Sequence, residues 1–436
     1  MRNPLLALPV IFLSFTLLIA MGCNAQNRVR ATTKVNQAAQ RQVATVETEP
    51  IYALQVEDLV RSELKQRRSS TSIFHEPSPE ELARLRGQAL HGLLLEAVYK
   101  KPGVKFNKTR AQAHTREITL AQARAIRDAL ESGMDRQEVL DTLVEEPYRA
   151  KSQVDFDILD TQISNPAYKE QALETPVGGV SQIIEDSDGL WVIRVLRREK
   201  DPSGATRVVG EQYFVHFDKE AGKRKVKEED LARSRVVVQD PSLRAIRHIN
   251  TAEDTDDTVQ RLKALTAARK DLEEALKGQP DHFTHFLMGW VLTSLSADPT
   301  SGATKEAALE QFRKATNLLE KSQPGDQSLA FYRARIAALQ RDLGQEADAK
   351  ASYRAAFEAA KDNYPLTVDL AKVFTDLGDT EYAGKAEAEI ARMEKSMNYS
   401  ALAGAGRIRQ KPGIMAEAAR GMDQVFEVEG EPRVHQ

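Results

Sequence analysis

Cys23 is the only cysteine in the 436 residues, so no disulfide within the chain can staple its fold. Whatever folds must hold through buried apolar area and hydrogen bonds alone. Charged residues make up 29% and aromatics only 6%, a balance in which helical surfaces dominate. The length suggests two or three domains. With 61 basic and 64 acidic residues the net charge is -3, so no nucleic-acid partner is expected. No phosphate-cradling glycine loop, metalloprotease helix or nucleophile elbow occurs, and no cofactor is expected. His282 and His285 stand three apart without a third ligand, so no metal site is assigned to them.

The N-terminus bounds the rest. Met1-Arg2-Asn3 is a short positive start, and Pro4 to Met21 is apolar apart from Ser14 and Thr16. Ala20, Met21, Gly22 and Cys23 follow, the layout of a secretory signal with small residues at the cut. Gly22 and Cys23 end the apolar run abruptly, which argues against an uncleaved span of about 20 residues. The segment resembles the bacterial lipobox, in which the thiol after the cut is lipidated. That resemblance implies a signal peptide over 1–22, lipidation at Cys23 and attachment to a membrane through the lipid anchor. The location implied is the cell envelope, facing the periplasm. By resemblance to the sorting rules of bacterial lipoproteins, Asn24 rather than Asp after Cys23 implies the outer membrane. Residues 23–42 hold almost no large apolar side chain and read as a flexible tether.

Order begins near Val43. Val43 to Ile51 reads as a short strand and turn, and Tyr52 to Gln66 as a helix. Ser78, Pro79 and Glu81 form a helix start, with a cap, a proline at the first helical position and a capping box. Leu82, Leu85, Ala89, Leu93 and Ala97 continue one apolar face to about Lys100, where Pro102 and Gly103 stop it. The stretches VATVETEPIYALQVEDLV and SPEELARLRGQALHGLLLEAVYKKPGVKF resemble the N-terminal module of SurA-type periplasmic chaperones. The resemblance covers residues 43–112. Glu47 and Thr48 stand where that family favours Asn-Gly in the turn.

Farther on, Trp191, Ile193 and Val195 alternate with Leu190, Val192 and Arg194, the period of a strand. Gly178 and Gly179 mark a turn. REITLAQARAIRDALESGMD and ISNPAYKEQALETPVGGVSQIIEDSDGLWVIRVLRRE resemble a parvulin (PpiC-type) domain, a peptidyl-prolyl isomerase module, over 113–200. This implies a first strand starting near Arg116. Parvulins twist the amide in an apolar pocket backed by two hydrogen-bonded histidines. By that resemblance Glu117 stands at the first histidine and Trp191 at the second, while Ile163 and Tyr168 take the places of a pocket methionine and phenylalanine. An indole donates a hydrogen bond but cannot accept one. Glu117, Ile163, Tyr168 and Trp191 are therefore a candidate substrate pocket without the imidazole pair, and no catalytic residue is assigned. Read by itself, Trp191 is a core residue.

Residues 201–257 read as a connector holding a strand from Gly210 to Phe217, with an acidic boundary from Glu253 to Asp257. A repeat follows over 258–396. Ala308, Phe312 and Ala315 share a spacing with Ala349, Tyr353 and Ala356, and Ala268, Leu272 and Ala275 repeat it earlier. Gly344 and Gly378 lie 34 residues apart, as do Ala349 and Ala383, and this resembles the tetratricopeptide period. Residues 397–436 read as a loose tail. The expected fold is thus α+β and mostly helical. A SurA-like helical module and a parvulin-like small antiparallel sheet with helices precede a tetratricopeptide-repeat α-solenoid. The expected function is a lipid-anchored folding factor that binds unfolded or extended polypeptide clients, with a protein or peptide in the repeat groove. Two alternatives stand beside it: an active prolyl isomerase, and a non-enzymatic scaffold lipoprotein of an envelope assembly or export complex.

Overall fold

Local capping chemistry sets most of the helix starts. Ser78 Oγ accepts the Glu81 N–H at 3.1 Å, and Asn107 Oδ1 accepts the Arg110 N–H at 2.9 Å, each satisfying a donor that the helix leaves orphaned. The computed structural model describes residues 41–70, 76–144, 154–278, 280–360, 362–397, 405 and 408–409. The expected signal peptide, Cys23, and most of the tether and tail lie outside the described residues. Among the described residues the chain is α+β and mostly helical, with fourteen helices and two small antiparallel sheets.

The chain opens with strands β1 (Gln42–Val46) and β2 (Glu49–Tyr52), then helices α1 (Ala53–Ser70) and α2 (Pro79–Lys100). The hairpin turns at Glu47, which takes the left-handed backbone (φ 55°) where the usual turn residue is Asn or Gly. Next come α3 (Lys108–Glu131), α4 (Arg136–Leu143), β3 (Asp155–Leu159), α5 (Pro166–Glu174), β4 (Ile184–Glu185), β5 (Gly189–Lys200), β6 (Thr206–His216) and α6 (Lys219–Arg233). Strand β7 (Val236–Val238) follows. Eight helices then run as α7 (Pro241–Glu253), α8 (Thr258–Leu276), α9 (His282–Leu295), α10 (Lys305–Ser322), α11 (Ser328–Asp342), α12 (Glu346–Ala359), α13 (Tyr364–Asp376) and α14 (Thr380–Lys395).

Two compact units result: Leu95–Arg235, and the residues on either side of it. The second unit is therefore inserted into the first along the chain. Residues 43–94 and the helices from 241 onward share one unit. Its small sheet has the order β2-β1-β7, with Val46 opposite Val236 and Ala44 opposite Val238.

In that outer unit the helices pair as α7 with α8, α9 with α10, α11 with α12 and α13 with α14. Gly344 and Gly378 adopt left-handed backbone (φ 72° and 64°) and turn the chain between partners. Ala308, Phe312, Ala315, Ala349, Tyr353 and Ala356 are all buried, as their spacing requires. The first pair begins inside the segment read as a connector. Helix α2 lies across three of these helices. Gly87 closes against Ile246 and Asn250 of α7, the Arg86 guanidinium stacks 4.5 Å from the Phe283 ring of α9, and Arg335 of α11 donates to Glu80 at 2.7 Å. The faces of α7, α9 and α11 turned toward α2 are thus covered by the chain's own helix.

The inserted unit centres on a four-stranded antiparallel sheet of order β3-β6-β5-β4. One face packs Leu190, Val192, Tyr213 and Val215 against Ala123, Ile126 and Ala129 of α3. The other packs Ile193, Val195 and Val208 against Tyr168 and Ala172 of α5. The strand expected near Arg116 does not form, because α3 runs through it unbroken. Thr115 and Thr119 return their hydroxyls to the Ala111 and Thr115 carbonyls at 2.9 Å, and Gly222 of α6 sits against Ala111 and Thr115. Packing on α6 overrides the β-branched residues' strand preference. The strand expected at 210–217 does form, begins earlier at Thr206, and occupies an inner position of the sheet.

Candidate functional site

The face of this sheet under α5 gathers most of its aromatic rings. Asn165 caps α5, accepting the Ala167 and Tyr168 N–H groups at 3.0 and 3.1 Å, and Pro166 at the first helical position fixes the entry. Tyr168 therefore points down onto the sheet, 9% exposed, and its hydroxyl donates to Gln212 Oε1 at 2.7 Å. Burial pushes that hydroxyl's pKa well above the usual tyrosine range, so Tyr168 stays a neutral donor.

The β5–β6 register places Trp191 opposite Phe214, with ring centroids 4.4 Å apart. Tyr168 meets Trp191 edge-on at 5.9 Å, and Phe156 of β3 meets Tyr168 at 6.1 Å. The row continues to His216, 6.2 Å from Phe214. Gly189 makes room at that end, since a Cβ there would stand 2.6 Å from the Phe214 ring. Trp191 is half-buried rather than sealed in the core, and its indole N–H donates to Asp186 Oδ2 at 3.0 Å.

That bond, helped by the Ser187 N–H, holds the Asp186 carboxyl below the usual range. A depressed carboxylate pKa stabilises the fold above its unfolded value, and the gain is lost as pH falls through the folded value. Trp191→Phe should bring the Asp186 midpoint back up toward that of an ordinary aspartate. A carboxyl-detected NMR titration reads this directly; an unmoved midpoint would show that the Ser187 turn, not the indole, sets it.

Of the four residues expected to line a pocket, three come together. Ile163 packs into the same cluster as Tyr168 and Trp191. Glu117 does not join them. It stands exposed on α3, paired with His114 at 3.2 Å, and α3 covers the opposite face of the sheet. The expectation placed Glu117 at the start of a strand, and the helix removes it from that position. Phe156, Gln212, Phe214 and His216 were not foreseen as site residues. The strand alternation was legible, but Phe214 falls beside Trp191 through the register of the β5–β6 hairpin, which is set by the 201–205 loop and a bulge between Val195 and Arg197. His282 and His285 take separate partners, Tyr332 at 2.9 Å and Gln311 at 2.8 Å. Among the described residues no group of three metal-capable side chains occurs.

The arrangement is a shelf of aromatic rings with an amide and a carboxylate at its edge. Edge-on and tilted ring pairs add about 0.5–1.5 kcal/mol each beyond burial, so the rings hold one another in place. No protein-family model matches the chain, and comparison with curated proteins finds no match.

Proposed function

We propose that the chain is a lipid-anchored folding factor of the cell envelope, similar to SurA/PpiC-type chaperones, that holds unfolded or extended polypeptides. In this reading the inserted unit is a parvulin-like module used for binding, and the paired helices are tetratricopeptide repeats. The observation that carries it is the row of half-buried Phe156, Trp191 and Phe214 set around the buried Tyr168 on one sheet face. Unfolded outer-membrane strands present alternating apolar side chains, and aromatic rings receive these with little loss of rotamer freedom. Lipidation at Cys23 would keep the shelf near the membrane.

The test is aggregation of a denatured outer-membrane β-barrel protein, followed by light scattering with the full chain at equimolar ratio. The expected result is suppression, mostly lost in Trp191→Ala/Phe214→Ala. Undiminished scattering with the native chain, or equal suppression by the double variant, sinks the reading. Residual isomerase activity is a second reading, favoured by His216 at the end of the row. A proline-peptide isomerisation assay in which His216→Ala abolishes turnover would support it.

A further inference from the structure

Helices α3 and α6 pack against each other where Gly222 meets Ala111 and Thr115. Along the outer seam runs a groove of about 420 Å³. One wall carries Phe106, Ala111 and Gln112. The other carries Lys219, Lys223 and Lys227, and Lys108 stands at the end. Past Lys219 it leads into a second hollow of about 450 Å³ that reaches Phe217.

The four lysines are exposed. Lys223 is paired with Glu220 at 2.6 Å, while Lys108, Lys219 and Lys227 make no ion pair among the described residues. Lysine stems cover apolar surface and leave their charge at the rim, so the groove is oily below and cationic above. Steps of four residues set Lys219, Lys223 and Lys227 about 6 Å apart along α6. Alternate residues of an extended strand repeat every 6.4–6.8 Å or so. A strand with carboxylates at every second position would therefore keep register with all three lysines. Its intervening side chains would turn to the wall of Phe106 and Ala111. A bilayer is flat and cannot follow a recessed wall.

We propose that this groove docks an acidic strand of a partner polypeptide, with carboxylates on alternate residues and apolar side chains between them. The proposal is independent of the aromatic shelf. The chain itself carries such an alternation at Phe426, Glu427, Val428, Glu429, Gly430 and Glu431, so the test separates a partner from the chain's own segment.

A fluorescein-labelled peptide of alternating Val and Glu is titrated with the full chain at low salt and followed by anisotropy. Saturable binding is expected, weakening as salt screens the charges. K219E/K223E/K227E should weaken it by about tenfold or more, the scale of close interfacial charge pairs. R224E/K225E, on the same helix but outside the groove, should change it by less than about twofold. If circular dichroism shows that the reversal variant unfolds, K219Q/K223Q/K227Q replaces it. Equal binding by wild type and the groove variant overturns the proposal. So does absence of peptide binding together with lysine-dependent retention on phosphatidylglycerol vesicles. A tenfold or so tighter grip on the peptide by E427Q/E429Q/E431Q would also overturn it, since the occupant would then be the chain itself.

Discussion

Phe312→Ala is expected to lower the stability of the helical unit by about 3–5 kcal/mol, the range for emptying a buried phenylalanine site. The ring is 1% exposed. It meets Phe286 at 5.2 Å, and Phe286 in turn stacks on Tyr332 at 4.6 Å, so Phe312 supports the ring that bridges α10 and α11 from α9. Collapse into the vacated volume is limited because Gly289 already brings the α9 backbone up to the ring; a Cβ there would stand 2.9 Å from it. The two tryptophans lie in different units, Trp191 in the inserted one and Trp290 in α9. Each can report its own transition, which matters because a two-unit chain need not unfold in one step. Urea unfolding followed by Trp290 emission in a Trp191→Phe background measures the loss. A change below about 1 kcal/mol would mean that the helices do close the gap.

Gly222→Val should destabilise the inserted unit by about 3 kcal/mol or more, the upper range of overpacking. A Cβ at this position would lie 2.1 Å from Thr115 Oγ1 and 2.3 Å from the Ala111 carbonyl oxygen. That oxygen belongs to the α3 backbone and cannot swing aside. In an open helix, replacing Gly by Ala gains about 1 kcal/mol of propensity, so the expected sign here is set by contact and not by helix preference. Gly222→Ala should be destabilising as well, by less. Trp191 emission in a Trp290→Phe background reads both. If Gly222→Ala proves stabilising, α3 and α6 are separable at low cost.

What could be read from the sequence was mostly local. The Ser78 cap, the strand alternation around Trp191 and the small-aromatic-small spacing of the late helices depend on neighbours within a turn or a strand, and each is observed. Three of the four candidate pocket residues also meet. The misreadings come from distant contacts. Arg116 to Thr119 has strand-like chemistry, yet α6, a hundred residues later, holds it helical. Asp240 and Pro241 are a readable helix start, the Asp240 side chain accepting the Leu243 N–H at 3.0 Å, inside the segment read as a connector. Phe214 is a nearer case: it enters the site through the β5–β6 hairpin, whose bulge between Val195 and Arg197 shifts the register in a way that neither strand's alternation encodes.

The pairing of Val46 with Val236 has a temporal meaning. A polypeptide is synthesised amino end first, so β1 emerges long before the strand that completes its sheet. Until then one backbone edge must stay open, while the interrupting module already has everything it requires to finish. Contacts so remote in sequence are slow to close. Completion of the outer unit's sheet thus waits on synthesis of the carboxyl half.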